Sequence, residues 1–463
     1  MKRLFLDEAK INQTLSKSKD ALSLDFDGVI KKALSLKGLS TEEAAILLGR
    51  SDPEEHEKIF QAAKSVKESI YGNRLVLFAP LYLNSRCVND CTYCGFGKSI
   101  GNDLRTLSSE EIKNETEALI RDGHKRLLLV AAEDPKNFDM DRLERAVDTV
   151  YSVSSGQSKI RRVNVNIAPM STEEFRRLKT FGIGTYQLFQ ETYNREMYSS
   201  VHPSGPKRDY VWRLHAMHRA MEGGIDDVGI GALFGLYDYS FEVLALLEHT
   251  KSLEKEFKVG PHTISVPRIE QAKGSEMSLY PPYKVTDNEL KLIVSILRLA
   301  VPSAGIILST RERAELRDEL FHLGVSQVSA ASKTTPGGYS SSKVSEENSA
   351  QFITSDKRST LEVIKSISNS EFSPSFCTAC YRVGRTGEVF MRHAKPGNIK
   401  HFCRANSILS FKEYMLDYGD TEIRRTGLEL ITKELKKMEE GLLKLETEKK
   451  LAELDHGKRN LFF

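Results

Sequence analysis

From Arg74 onward, short apolar runs alternate with stretches whose apolar positions recur every three to four residues. Runs of the first kind suit strands buried on both faces and the others amphipathic helices, so the alternation predicts a parallel sheet wound with helices. Eight strands are expected, at 75–83, 126–132, 163–168, 186–190, 227–233, 263–268, 305–309 and 326–330. Helical periodicity fills the intervals at 109–122, 139–152, 171–180, 207–222, 240–257, 287–300 and 311–323. Eight alternations over about 260 residues match an α/β fold of the (βα)8 TIM type, whose reactive groups sit in loops at the carboxyl ends of the strands.

The flanks differ from this centre. Residues 1–70 are polar and helical in pattern, with Ser40-Thr41-Glu42-Glu43 as a capping-box start before the apolar stretch 44–48, and predict an N-terminal helical extension. The barrel is expected to occupy 71–340. A polar connector, 340–348, leads into a charge-rich region, 341–463, which lacks the alternation and predicts a mostly helical C-terminal domain. Its last helix is expected over 421–451, with Leu428, Leu430, Leu435, Leu442, Leu443 and Leu445 as a stripe packed on the body.

At 463 residues the chain suits a large barrel plus an appendage. Lysine and arginine number 67 against 64 acids, too even a balance to argue for nucleic acid or a membrane surface as partner. No apolar run approaches the ~18 residues of a spanning helix, and Met1 to Ala9 has no secretory core. A cytoplasmic protein is expected.

The six cysteines carry more information. Cys87, Cys91 and Cys94 follow the first expected strand as C-x3-C-x2-C. Three thiols at this spacing hold a cuboidal iron-sulfur cluster and leave its fourth iron open to a reactant; structural zinc wants four ligands, and no fourth Cys or His lies near. Cys377, Cys380 and Cys403 form C-x2-C-x22-C, which suits either a second cluster or, with His393 or His401, a Cys3His zinc site. Thiols three residues apart read as metal ligands in a reducing compartment, and an anoxic one if both sites hold iron and sulfide. Arg311 ends the seventh expected strand, with Ser329 at the end of the eighth; an arginine among hydroxyls there suits an amino acid carboxylate.

The first motif, with Tyr93 before its last thiol, resembles the signature of the radical S-adenosylmethionine (SAM) superfamily. Within it, residues 70–420 resemble the HydG family, the tyrosine lyases of FeFe-hydrogenase maturation. The resemblance rests on Tyr186-Gln-Leu-Phe-Gln-Glu-Thr-Tyr193, His202-Pro-Ser-Gly-Pro-Lys-Arg-Asp209, Gly260-Pro-His-Thr-Ile-Ser265 and the second Cys triad. The related thiazole-pathway lyase ThiH shares the barrel and first triad but lacks the second.

The resemblance implies a [4Fe-4S] cluster on Cys87, Cys91 and Cys94 that binds SAM and splits it to a 5'-deoxyadenosyl radical. Tyr93 is then expected against the adenine, Glu133 on the SAM ammonium, Glu191 on the ribose and Arg208 on the SAM carboxylate, while the small residues of the fifth strand let backbone approach the adenine. Ala131 and Ala132 stand where many members carry glycine before that glutamate, and Ala331 and Lys333 depart from Gly and Arg. The implied reaction cleaves L-tyrosine to p-cresol and dehydroglycine, from which carbon monoxide and cyanide are made on iron at a second [4Fe-4S] cluster. That cluster carries a labile iron, linked through free cysteine or a related ligand and held by His262. A GTPase scaffold and a second radical SAM maturase are the implied partners. The rivals are a ThiH-like lyase that supplies dehydroglycine for thiazole synthesis and a non-catalytic iron-sulfur carrier. His262 precedes the sixth strand and so belongs to the amino end of the barrel, on the order of 25 Å from the first triad at ~3.3 Å per strand residue. A channel through the barrel is therefore expected.

Overall fold

The computed structural model describes residues 4–18, 23–100, 104–341, 344 and 346–463. Residues 1–3 of the chain start and 342, 343 and 345 of the polar connector lie outside the described residues.

All eight expected strands are present: β1 Arg74–Asn84, β2 Arg126–Ala131, β3 Arg162–Asn166, β4 Thr185–Gln187, β5 Asp227–Gly231, β6 Thr263–Ser265, β7 Gly305–Leu308 and β8 Gln327–Ser329. They pair in parallel in chain order, and β8 closes on β1 through Val76↔Gln327 and Phe78↔Ser329. Several are shorter than the apolar runs. The sixth ends at Ser265 rather than 268 because Pro267 has no N–H to give a ladder.

Helix starts follow the sequence closely. Ser40 Oγ accepts from Glu43 N, and the Glu43 carboxylate accepts from Ser40 N at 2.7 Å, which completes the expected capping box. Two expected helices break. The stretch 207–222 is a 3-10 turn, Pro206–Arg208, followed by Tyr210–Leu214, which Asp209 caps, and Ala216–Glu222. The last helix divides into Thr421–Lys436 and Leu442–Asp455, around Gly441 at φ 154°, a backbone state that favours glycine. Its leucine stripe is split accordingly: Leu430 is buried, but Leu428, Leu442 and Leu445 are exposed.

A ninth strand, β9 Ser373–Ser375, comes from beyond the barrel. β1 pairs with β2 only from Ala79 on, and β9 adds to the earlier residues through Arg74↔Ser373 and Val76↔Ser375. The C-terminal region is thereby fixed to the amino end of the barrel.

The barrel interior is filled at mid-height by polar side chains. A Cβ on Gly229 would stand 2.4 Å from Thr263 Oγ1 and 2.8 Å from Gln187 Cγ, and one on Gly305 2.7 Å from Gln327 Nε2. The glycines of β5 and β7 thus make room for neighbouring side chains to cross the barrel.

A buried ion cluster clips the following segment to the barrel. Arg317, fully buried after β7, pairs with Asp356, and Arg358 joins Asp356 at 2.7 Å and Asp318 at 3.0 Å. Burial raises the Asp356 pKa, but Arg358 and Arg317 outweigh it and hold the carboxyl below its ordinary value. Asp356→Ala should therefore cost about 3–5 kcal/mol by leaving Arg317 unpaired, read from the urea midpoint. In the parent chain this contribution is present above the ordinary carboxylate pKa and is lost as pH falls through the lower folded value.

Candidate active site

The loop after β1 brings Cys87, Cys91 and Cys94 to one cavity, shared with Ala131, Ala132, Glu133, Glu191, Lys207 and Arg213. Asn89 knits it together: its Nδ2 donates to Glu133 Oε2 at 2.7 Å and its Oδ1 accepts from Lys207 N at 2.8 Å. Val88 N donates to the Glu133 carbonyl at 2.8 Å. Gly95 is required where the loop passes Ala350, whose carbonyl oxygen would lie 2.4 Å from a Cβ. Burial pushes the Cys91 thiol up and that of Cys94 up to about 12, so metal binding must displace their protons. Among the described residues no three His, Cys, Asp or Glu converge on a single ion. Zinc draws its sulfurs to ~2.3 Å from one centre, whereas a cuboidal cluster keeps them apart, so thiols ringing a cavity fit the cluster.

Glu191 leaves β4 at φ 73°, a left-handed conformation costly for a non-glycine residue, and its carboxylate meets Lys207 Nζ at 2.6 Å and Arg213 Nη2 at 3.3 Å. Burial raises its pKa, yet the two cations bring it below the usual range. Arg208 does not enter the site: it is exposed on the 3-10 turn, while the adjacent Lys207 is drawn inward by Asn89. The cations that line the cavity are Lys207 and Arg213. Tyr93 is buried beneath Lys207 and donates its hydroxyl to His202 Nε2 at 2.8 Å. Because His202 Nδ1 bonds the Tyr198 carbonyl, which only accepts, a proton sits on Nδ1, and burial keeps a second one off Nε2 so that the ring is neutral.

This cavity runs into a second one, of about 160 Å³, in the carboxyl half of the barrel, with Cys94, Glu191, Lys207 and Arg213 common to both. Arg311 and Ser329 line its far wall. The Arg311 guanidinium lies 3.3 Å above the Phe352 ring centroid and gives one hydrogen bond, 3.4 Å, to the Arg268 carbonyl. Ser329 Oγ accepts from Thr310 N at 3.2 Å. Glu270 lines the same wall, and burial raises its carboxyl to about 7. Gln351 and Phe352 enter from the segment after the barrel, and Gln351 accepts from the Tyr82 hydroxyl at 2.7 Å.

At the amino end, Cys377, Cys380, Cys403 and His262 line a cavity of about 50 Å³ with Arg74, Arg126, Gln327 and Tyr381. Neither His393 nor His401 lines it, which goes against the Cys3His zinc site. β9 delivers Cys377 here, with Cys377 N donating to Ser375 Oγ at 3.3 Å. Burial pushes Cys403 up to about 11 and lowers His262, leaving a neutral imidazole whose Nδ1 stands 3.5 Å from Asp227 Oδ1. The upper and lower cavities share no lining residue. Gln187 borders the upper cavity and Gln327 the lower, and the mid-barrel layer that holds them with Thr263 lies between the two.

Tyr93, Glu133, Glu191, Arg311 and Ser329 thus face one connected space, the second Cys triad and His262 another. Sequence reading missed Lys207, Arg213, His202, Asn89 and Phe352. Lys207 stood in the string already singled out, where only the turn distinguishes it from Arg208. Phe352 lies too far along the chain for any local signal.

Such a barrel, with three thiols in its first loop beside paired cations and carboxylates, defines a radical SAM enzyme. The family described as Radical SAM superfamily matches residues 81–249, and the Biotin and Thiamin Synthesis associated domain matches 265–373. The chain is 33% identical over 311 residues to 2-iminoacetate synthase of Salmonella typhimurium, spanning 67% of this chain and 80% of that one. It superposes on a crystal structure of HydG, a maturase of the [FeFe]-hydrogenase, with TM-score 0.96 and 46% identity over 99% of this chain and 100% of that one. HydG from Carboxydothermus hydrogenoformans matches with TM-score 0.83 and 40% identity over 96% and 98%. The chain belongs to the HydG family of radical SAM lyases.

Burial holds His202 down to about 2, against ~6.5 for a free imidazole. Its ring should therefore remain the neutral Nδ1–H form at about pH 5.5, observable by 15N NMR of labelled histidine. The stability tied to it is whole above ~6.5 and declines as pH falls.

Proposed function

We propose that this chain cleaves L-tyrosine to p-cresol and dehydroglycine in the upper cavity, and that dehydroglycine yields carbon monoxide and cyanide for a hydrogenase iron cluster at the lower one. The observation that carries this is the pair of thiol sets at opposite ends of one barrel, each facing its own cavity. Cys87, Cys91 and Cys94 would hold a [4Fe-4S] cluster which, with SAM, supplies a 5'-deoxyadenosyl radical when reduced.

The chain's own residues do the positioning. Glu191, anchored by Lys207 and Arg213, offers carboxylate oxygens to ribose hydroxyls, and Glu133, oriented by Asn89, offers one to an ammonium. Lys207 or Arg213, rather than Arg208, is the cation within reach of the SAM carboxylate. Tyr93 presents a neutral, hydrogen-bonded ring as an adenine support. Arg311, its plane fixed by Phe352, supplies paired donors for the tyrosine carboxylate, with Ser329 beside it. In the lower cavity Cys377, Cys380 and Cys403 fit a second [4Fe-4S] cluster, and the neutral ring of His262 fits a labile iron that free cysteine or a related ligand bridges. By resemblance the reaction belongs in a reducing, oxygen-free cytoplasm beside a GTPase scaffold and a second radical SAM maturase; among the described residues no helix is long and apolar enough to cross a membrane.

The test is anaerobic reconstitution with iron and sulfide, followed by dithionite, SAM and tyrosine, with p-cresol, cyanide and carbon monoxide assayed together. All three products are expected. p-Cresol alone would favour the dehydroglycine-supplying lyase, and 5'-deoxyadenosine without p-cresol would mean a different substrate. Cys91→Ala should abolish SAM cleavage. Cys380→Ala should lower cyanide and carbon monoxide per p-cresol; an unchanged ratio would make the second triad merely structural.

A further inference from the structure

The loop that carries the first thiol set has an outer side, and the short helix Glu276–Leu279 is fastened to it. Ser275, buried at the helix start, donates to the Thr92 carbonyl at 2.6 Å, and Thr92 Oγ1 meets Met277 Sδ at 3.2 Å. Although anchored between two of the thiols, the segment turns Leu279, Tyr280 and Tyr283 to solvent, Tyr280 at 76% exposure. Large apolar side chains grouped at one surface spot mark an interaction site, whereas the same residues scattered singly need no explanation. Beside them the surface is basic. Lys98 N donates to the Asn89 carbonyl at 3.0 Å, Ile100 lies against Gly274 ahead of the helix, and Asn89 also holds the turn that bears Arg208. Arg86 precedes Cys87, and Lys284 follows Tyr283. These cations are exposed and form no ion pair among the described residues. Of the acids on the same segments, Asp90 accepts from Ser99 Oγ at 2.6 Å and Asp209 caps Tyr210–Leu214, so Glu276 alone opposes them among the described residues.

We infer that this face is the docking surface of a small acidic electron-carrier protein, which gives one electron to the cluster held by Cys87, Cys91 and Cys94. The inference rests on the SAM-splitting part of the reaction proposed above and not on its substrate. The carrier is oxidised by one electron and the cluster reduced by one, the electron that cleavage of the SAM carbon-sulfur bond consumes. The occupant follows from three features of the face. Cys87 is only half-buried, so the path from this surface to the thiols is short. The face lies at the carboxyl end, with the second thiol set across the barrel, which is the wrong place for a partner that collects product from the lower cavity. A small apolar centre with a basic rim suits a transient redox contact, because complementary charge speeds the encounter and a small area lets the carrier leave.

The test uses the reconstituted chain with two acidic carriers, a flavodoxin and a ferredoxin, and with dithionite as a reductant that needs no docking. Carrier binding is measured by calorimetry, and 5'-deoxyadenosine formation is followed with each reductant. In Lys98→Glu/Lys284→Glu, binding of at least one carrier should weaken about tenfold at low salt and carrier-driven formation should slow to match, while the dithionite-driven rate stays that of the parent. At about 1 M salt, where charges are screened beyond ~3 Å, parent and variant should converge. Tyr280→Ala should weaken binding at both salt concentrations. Lys37→Glu/Lys436→Glu, the same charge change at exposed positions on other elements, should leave binding as it is. Binding of neither carrier, binding indifferent to the face variants, or an equal loss in the Lys37/Lys436 control would overturn the docking surface. So would a fall in the dithionite-driven rate of the face variants, which would make these residues structural. Self-association of the parent in sedimentation, abolished by Tyr280→Ala, would also overturn it and give the face to a second copy of this chain. Carrier-driven 5'-deoxyadenosine without p-cresol would refute the tyrosine reaction and keep the docking surface.

Discussion

Everything in this protein is measured along β1. At eleven residues it is longer than the other seven barrel strands, and on the order of 35 Å at ~3.3 Å per residue it spans both working ends. Its carboxyl end runs into the Cys87 loop. Its start lies ahead of the pairing with β2, and the open edge it leaves there recruits β9 and with it Cys377. The register with β8 closes the barrel in between. Parallel strands put all their carboxyl ends on one side, so once β1 carries a thiol set at each end, the two sets cannot share a face.

The two ends solve opposite electrostatic problems. Above, a buried carboxylate, Glu191, is set between two cations, and Arg311 lies on an aromatic face, hydrogen-bonds a backbone carbonyl and feels Glu270 on the same wall. That leaves charge for a zwitterion to satisfy. Below, two arginines and a neutral histidine face three thiols with no acid among the cavity's lining residues, an arrangement suited to anionic ligands. Between them the filling is polar, not the layered apolar packing usual for such barrels, and glycine at 229 and 305 makes room for it. The polar groups between the cavities can offer hydrogen bonds to whatever passes.

Much of this was legible in the chain. Alternating periodicities gave eight strands because each is buried on both faces, and the S-x-x-E box at Ser40 placed a helix start because capping is local. The C-x3-C-x2-C spacing gave the first site because its ligands lie on one loop. Glu191 and Arg311 could be singled out because strand ends are where barrel chemistry collects. Arg208 shows the limit: two adjacent basic residues are indistinguishable until Asn89, from another loop, fixes the turn that admits Lys207 alone. The tail likewise read as one helix, because the break at 437–441 carries a single glycine, Gly441, in an otherwise helical pattern.

The sequence by itself determined the eight barrel strands, their order, the iron-sulfur character of the first thiol set and the side of the barrel to which His262 belongs, since all of these depend on neighbours along the chain. Only the tertiary structure decided that neither His393 nor His401 lines the cavity of the second triad, that Phe352 backs Arg311, and that Gln187, Thr263 and Gln327 meet at mid-barrel. Those outcomes rest on contacts between residues tens to hundreds of positions apart, set by barrel closure and by the docking of β9, and no local pattern carries them.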